Sequence, residues 1–221
     1  ARAVAFQGAP GAYSHQAVRE VAPEGLPLPC FSFEDALAAV QDGAAALAVI
    51  PVENSLHGRV ADVHFLLPES GLFVTGEHYV KVEHCLLGAP GAALSDVREV
   101  ISHPQALGQC RKRLRALGLR PTSFADTAAA AAAVGGGGDS TVAAIASRLA
   151  GELYGNSLLV EGLQDADHNR TRFLLLSRTP RGPGLPEGPV KTTLAFEVKN
   201  VPAALFKALG GFATNGINLT R

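Results

Sequence analysis

The segment Asn169-Arg170-Thr171-Arg172-Phe173 sets a hydroxyl beside a guanidinium at the head of an apolar run. Arg172 offers a planar, two-pronged donor set suited to a carboxylate. Thr171 offers a hydroxyl that can donate to a departing oxygen. A Thr-Arg pair also occurs on ordinary strands, so the pattern names a candidate and no more. Three other segments share one design: Phe6-Gln7-Gly8-Ala9-Pro10-Gly11-Ala12-Tyr13-Ser14, Pro51-Val52-Glu53-Asn54-Ser55 and Ser102-His103-Pro104-Gln105. In each, an apolar strand gives way to small or polar residues and then to a helix. Open α/β sheets bind ligands at such strand ends, where helix N-termini present free N–H groups to anions. Plain caps and turns look the same one at a time.

Short apolar runs alternating with helical patterns must position these residues, which predicts an α/β architecture. Ala3 to Gln7 reads as a buried strand, followed by a helix that Ser14 could cap. Ser32 and Asp35 have the spacing of a capping box, opening a helix that Gly43 closes. Ala46 to Ile50 reads as a strand stopped by Pro51. Leu72 to Thr75, Tyr79 to Leu87 and Val97 to Ser102 read as further strands. Pro104 suits a first helical position, and the helix after it places Leu107, Cys110, Leu114 and Leu117 on one face, with Gly118 as its end. On that reading Arg111, Lys112, Arg113 and Arg115 form a solvated face. Asp126 or Thr127 caps an alanine-rich helix that Gly135 to Gly138 ends. Val142 to Ile145 is a strand, Ser147 to Tyr154 a helix, and Phe173 to Leu176 a last apolar strand. Prolines and glycines between Thr179 and Pro189 predict a domain boundary. Beyond it, Thr192 to Val198 reads as a strand, Pro202 to Phe212 as a helix, and Ile217 as the start of another strand.

Composition removes several classes of function. The 221-residue chain is 47% hydrophobic and 18% charged, with net charge -1, as suits a globular core and not a broad nucleic-acid surface. Its three cysteines are far apart and lack metal or disulfide spacing, and its seven histidines form no HxH or HExxH pattern. No metal and no cofactor are expected. No apolar run approaches a membrane span. The start at Ala1 shows no leader pattern, so a cytoplasmic protein is the expectation.

In order, the four polar segments resemble the motifs of the prephenate dehydratase family: the opening Phe6-Gln7-Gly8 through Tyr13-Ser14, the Pro51-to-Ser55 loop, Ser102-His103-Pro104-Gln105-Ala106 through Gln109-Cys110, and Asn169 to Phe173. The resemblance implies two α/β lobes of type II periplasmic-binding-protein-like architecture with a cleft between them, residues 1–77 with 163–180 in one lobe and 78–162 in the other. It implies a monofunctional enzyme that turns prephenate into phenylpyruvate with loss of water and carbon dioxide. Thr171 would be catalytic, as a donor to the leaving hydroxyl, and Arg172 would hold a substrate carboxylate. Asn54, Ser102 and Gln109 would bind or orient substrate, with Ser55 and Ser14 as further binding candidates. Glu53 would brace its loop and His103 would cap. Arogenate dehydratase chemistry fits the same residues, and a non-catalytic solute-binding protein is the alternative of a different class.

After a linker at 181–189, residues 190–221 resemble the start of an α+β, ferredoxin-like ACT domain, through Pro202-Ala203-Ala204-Leu205-Phe206-Lys207-Ala208-Leu209 and Gly216 to Arg221. Ala203 stands where that family usually has glycine. Ala204, Leu205 and Asn218 would then face L-phenylalanine, an allosteric effector of the full-length protein, in a homodimer or homotetramer. With about half of the domain missing, the chain is expected to keep turnover and lose normal phenylalanine inhibition.

Overall fold

The computed structural model describes residues 2–180, 191–192, 194 and 196–219, and it divides into two units, Ala1–Gly182 and Pro183–Arg221. The first unit holds two α/β lobes. One is built from β1 (Ala3–Gln7), α1 (Tyr13–Val21), β2 (Leu26–Cys30), α2 (Phe33–Gln41), β3 (Leu47–Asn54), the short β4 (Gly58–Arg59), α3 (Ala61–Glu69), β5 (Phe73–Lys81) and the returning β11 (Arg170–Ser177). The other contains β6 (Cys85–Gly88), β7 (Glu99–Ser102), α4 (Pro104–Gln109), α5 (Arg111–Ala116), β8 (Arg120–Ser123), α6 (Thr127–Gly137), β9 (Val142–Ala146), α7 (Arg148–Tyr154) and β10 (Ser157–Val160).

The sheets repeat one plan. Strand order is β2-β1-β3-β11-β5 in the first lobe, with β4 on β3, and β10-β6-β9-β7-β8 in the second. In each, three parallel strands are followed by one antiparallel strand, β11 or β6, and then by an edge strand, β5 or β10, that runs with the first three. This is the expected type II binding-protein-like arrangement, in which the chain crosses between lobes twice. The first crossing follows Lys81, later than the expected 77, because β5 pairs along its length with β11, from Ser177↔Phe73 to Arg170↔Lys81.

Each sheet is apolar on both faces, as helix-covered sheets must be. Phe6 and Phe173 pack with Val18 of α1 on one face of the first sheet, while Leu174 and Leu176 join α2 and Val63 of α3 on the other. Burying a side chain of that size contributes about 1.5–3 kcal/mol. The turn before α1 docks on α7 of the second lobe. A Cβ on Gly11, which sits at φ +91°, would come within 2.8 Å of Ala150 Cα. The Gly11 carbonyl accepts from Ser147 Oγ at 2.6 Å, and the Pro10 carbonyl from Tyr154 OH at 2.9 Å.

Several expectations change in detail. The box at α2 is present, with Asp35 N–H donating to Ser32 Oγ and Ser32 N–H to Asp35. Ser14 does not cap α1; it is buried at the second position of the helix, and Ala12 holds the N-cap without a side-chain bond. Pro51 does not end β3, because a bulge shifts the register so that Pro51 faces Phe173 and Glu53 faces Arg172. The helix after Pro104 breaks at Cys110 into α4 and α5, and Leu117 is left 40% exposed. Gly135 does not stop α6, which runs to Gly137. A Cβ there would meet the Tyr154 carbonyl at 2.4 Å, so glycine lets α6 approach α7.

In the second unit α8 spans Ala204–Thr214. The strands expected at 192–198 and at 217 are not formed by the described residues, consistent with two strands being marginal without further partners. The linker at 181–189 lies outside the described residues. No helix among the described residues is long and apolar enough to cross a membrane.

Candidate active site

Both crossings bring polar side chains to a cleft of about 480 Å³ between the lobes, lined by Asn54, Asn169 and Thr171 with Tyr13, His84 and Gln109. β3 and β11 pair Thr171 with Asn54 directly, so their side chains are cross-strand neighbours. Asn54 Nδ2 donates to Thr171 Oγ1 at 3.0 Å and to Asn169 Oδ1 at 2.8 Å. Asn169 Nδ2 donates to Gln109 Oε1 at 3.1 Å, joining the first lobe to α4 of the second. His84 Nε2 lies 2.5 Å from the same oxygen, and His84 Nδ1 lies 2.7 Å from Tyr13 OH.

The orientation of Asn54 follows from the backbone. Its Oδ1 is 2.9 Å from the Leu56 N–H and 3.1 Å from the His57 N–H, which can only donate. The amide nitrogen therefore faces Thr171. One of its hydrogens occupies a lone pair of Oγ1, which leaves the threonine's own proton free to point at a bound molecule. This is a donor preset for an oxygen that gains negative charge.

Burial shifts several groups here. Tyr13 is raised well above the usual phenol range, chiefly by burial, with Cys85, Cys110 and Glu83 adding to the effect. It stays a neutral phenol. Burial lowers His84, and its bond to Gln109 opposes that shift. Burial pushes the Cys110 thiol up to about 12, so it is no nucleophile at neutral pH.

Arg172 is not part of this cleft. Adjacent residues of a strand face opposite sides. Thr171 shares its face with Phe173, on the α1 side, and Arg172 shares its face with Leu174, on the side of α2 and α3. There its Nε donates to Glu77 Oε2 at 2.7 Å in an ion pair. A different guanidinium lines the cleft: Arg59 of β4, exposed and without a carboxylate in ion-pair range among the described residues. His57 and His103 stand with it, and Asp126 is the acidic residue of the lining.

The serines are structural here. Ser102 is fully buried and its Oγ donates to the Ile145 carbonyl of β9 at 2.6 Å. Ser55 Oγ donates to the His168 carbonyl and accepts from the Arg170 N–H, each at 2.9 Å, and so fastens the loop after β3 to β11. His103 caps α4, its Nδ1 accepting from the Gln105 N–H at 3.2 Å. Thus Thr171, Asn54 and Gln109 meet at the cleft, whereas Arg172, Ser102, Ser55 and Ser14 do not. Tyr13, Arg59, His84 and Asn169 were not foreseen. Tyr13 and Asn169 lie inside the quoted motifs, and Arg59 follows one by four positions; His84, a lone histidine between strands, carries no spacing signal.

A profile of prephenate dehydratase matches residues 4–181. A bifunctional N-acyl-homoserine lactone acylase/prephenate dehydratase of Komagataeibacter europaeus is 51% identical over 220 residues, covering 100% of this chain and 78% of that protein. Arogenate dehydratase/prephenate dehydratase 1 of Arabidopsis thaliana, chloroplastic, is 43% identical over 218 residues; the alignment covers 99% of this chain but 55% of the plant protein. Against plant relatives of this kind the chain spans little more than half their length. Among solved structures, prephenate dehydratase of Arthrobacter aurescens in complex with L-Phe superposes with TM-score 0.84 at 28% identity, over 99% of this chain and 74% of that one. With the match running through both lobes and every strand and helix that reaches the cleft, the chain belongs to the prephenate dehydratase family of hydro-lyases.

Proposed function

We propose that this chain removes water and carbon dioxide from prephenate to give phenylpyruvate, a step of phenylalanine synthesis. In that reaction the bond to the ring carboxylate breaks, its electron pair makes the ring aromatic, and the ring hydroxyl leaves from the opposite carbon. Thr171 donates a hydrogen bond to that departing oxygen and keeps its own proton, so the developing hydroxide is stabilised as the bond breaks and takes a proton from solvent to leave as water. Arg59 replaces Arg172 as the partner for a substrate carboxylate. The observation that carries the reading is the bond that Thr171 Oγ1 accepts from Asn54, which leaves the threonine proton available to a cleft with a cation at its edge. Aromatisation drives the chemistry, and the donor set here needs no redox partner.

Arogenate, with an ammonium in place of the keto oxygen, would react in the same way, and its name stands beside prephenate in the plant relatives. Turnover of both compounds by the native chain and by Thr171→Ala, with circular dichroism to verify folding, tests the proposal. Release of neither phenylpyruvate nor phenylalanine by the native chain would overturn it.

For the second unit the reading is regulatory. Ala204 opens α8, and Leu205 and Asn218 are exposed; they would meet L-phenylalanine where a complete ACT domain is present, in a homodimer or homotetramer. Calorimetry on the 221-residue chain should then find no tight phenylalanine binding, with turnover retained.

A further inference from the structure

We infer that His84 and Tyr13 are positioning residues, a pair that holds the Gln109 end of the amide chain reaching Thr171, whose other end the Leu56 and His57 N–H groups hold through Asn54. The inference rests on the dehydratase reading for its kinetic consequences, but the orientation follows from donor and acceptor roles alone. The Leu56 and His57 N–H groups can only donate, so Asn54 Oδ1 faces them and Asn54 Nδ2 faces outward. Asn169 must then offer Oδ1 to Asn54 and Nδ2 to Gln109. Gln109 must offer Oε1, and the atom 2.5 Å beyond it is His84 Nε2. Two acceptors cannot meet at that distance, so Nε2 carries a hydrogen.

The other imidazole nitrogen completes the chain. His84 is almost fully buried, and a neutral ring with a hydrogen on Nε2 has a bare Nδ1. Tyr13 OH, 2.7 Å away, supplies the proton to it. The Glu83 carbonyl, 2.9 Å from the same hydroxyl, is the second acceptor in its reach. Thus six side chains from α1, both crossings, α4 and the paired ends of β3 and β11 form one chain, in which Gln109 Oε1 accepts from His84 and from Asn169, and Asn54 donates to both Asn169 and Thr171. Glutamine and asparagine are symmetric enough to flip when a neighbour is lost. Without the Nε2–H, Gln109 Oε1 keeps only its bond from Asn169, and Gln109 shifts toward its remaining contact, His57 Nδ1 at 3.3 Å, so the wall of the cleft beside Thr171 loses its fixed place.

The two nitrogens of His84 can be mimicked separately. Glutamine at 84 carries an N–H out to the position of Nε2, whereas asparagine reaches only the position of Nδ1. We expect His84→Gln to keep kcat within about threefold of native, and His84→Asn to lose on the order of 10- to 100-fold in kcat, the size of a small misplacement of a catalytic group. KM should stay within about twofold in both, because neither variant touches the cation at the cleft edge. Nitrogen NMR of the native imidazole should show the Nε2-protonated neutral form at pH 7. Equal kcat in the two variants, with matching thermal melts, overturns the positioning role, as does a proton found on Nδ1. If the native chain turns over neither prephenate nor arogenate, the dehydratase reading falls instead, and the imidazole spectrum alone then decides the orientation.

Discussion

Replacing Asn54 by Asp changes one NH2 group to an oxygen at nearly constant volume. In the native site that NH2 fills two acceptors, Thr171 Oγ1 at 3.0 Å and Asn169 Oδ1 at 2.8 Å. The two N–H donors of Leu56 and His57 still hold the other oxygen of an aspartate at 54, so the new oxygen must face Thr171. A carboxylate oxygen at that separation is a strong acceptor, and the Thr171 proton turns toward it, away from the cleft. Catalysis then loses one preset donor, about 3–4 kcal/mol or a factor on the order of 100 to 1,000 in kcat. Stability falls as well, by ~1–3 kcal/mol, because Asn169 Oδ1 is left facing an oxygen. The assay is initial-rate formation of phenylpyruvate from prephenate for native, Asn54→Asp, Thr171→Val and the double variant. If Asn54 acts by directing the threonine proton, Asn54→Asp is about as slow as Thr171→Val, and the double variant is hardly slower than either. A kcat for Asn54→Asp within about fivefold of native refutes the reasoning, and so does a double variant whose losses multiply.

Further outcomes follow from the same geometry. Arg59→Gln should raise KM about 10- to 100-fold, the loss of one charge-assisted carboxylate contact, while Arg172→Gln, whose partner is Glu77, should change KM by less than about threefold; steady-state kinetics of the two separate them. Burial lowers both His15 and His84, His15 with help from Arg19. Each therefore resists a proton that the unfolded chain takes up near pH 6.5. Stability from these residues is intact above that pH and falls as the pH drops through it toward their folded values, so the thermal midpoint should decline between about pH 7 and 5, less steeply in His84→Gln. Ala203, at φ +63°, is the one residue other than glycine with positive φ among the described residues. Ala203→Gly should relieve about 1 kcal/mol at the head of α8, seen as slower amide exchange in that helix.

Much of this architecture could be read from residue order, and the failures share a cause. The capping box at Ser32 and Asp35, the proline that opens α4 and the glycine after α7 are local devices, and each appears where its residues predict. Thr171, Asn54 and Gln109 are expected together through the family resemblance, and the ends of β3, β11 and α4 carry them to one cleft. Arg172 was misplaced although the rule that turns it away, alternation along a strand, is itself a sequence rule; a resemblance that treats two neighbours as one motif hides it. Ser102 and Ser55 are expected at the ligand only through the family resemblance, and a hydroxyl inside a motif looks the same whether it meets a ligand or a carbonyl. His84 and Asn169 sit on the two crossings between lobes, where neither helical nor strand periodicity applies. Their meeting depends on the tertiary path, which local spacing does not encode. The strands expected beyond the linker find no pairing partner among the described residues.

The contact between Gly11 and Ala150 restricts how the two halves of the enzyme can move. With a bare α-carbon on one side and a methyl on the other, that seam has no long side chain to bend, so sliding along it meets hard atoms at once. Separation is easier, since the hydroxyls of Ser147 and Tyr154 and the carbonyls they hold can exchange each other for water at small net cost. The permitted motion is a hinged gape, not a shear. A gape returns every group on the facing walls to its original register when it shuts, which a sliding interface would not guarantee.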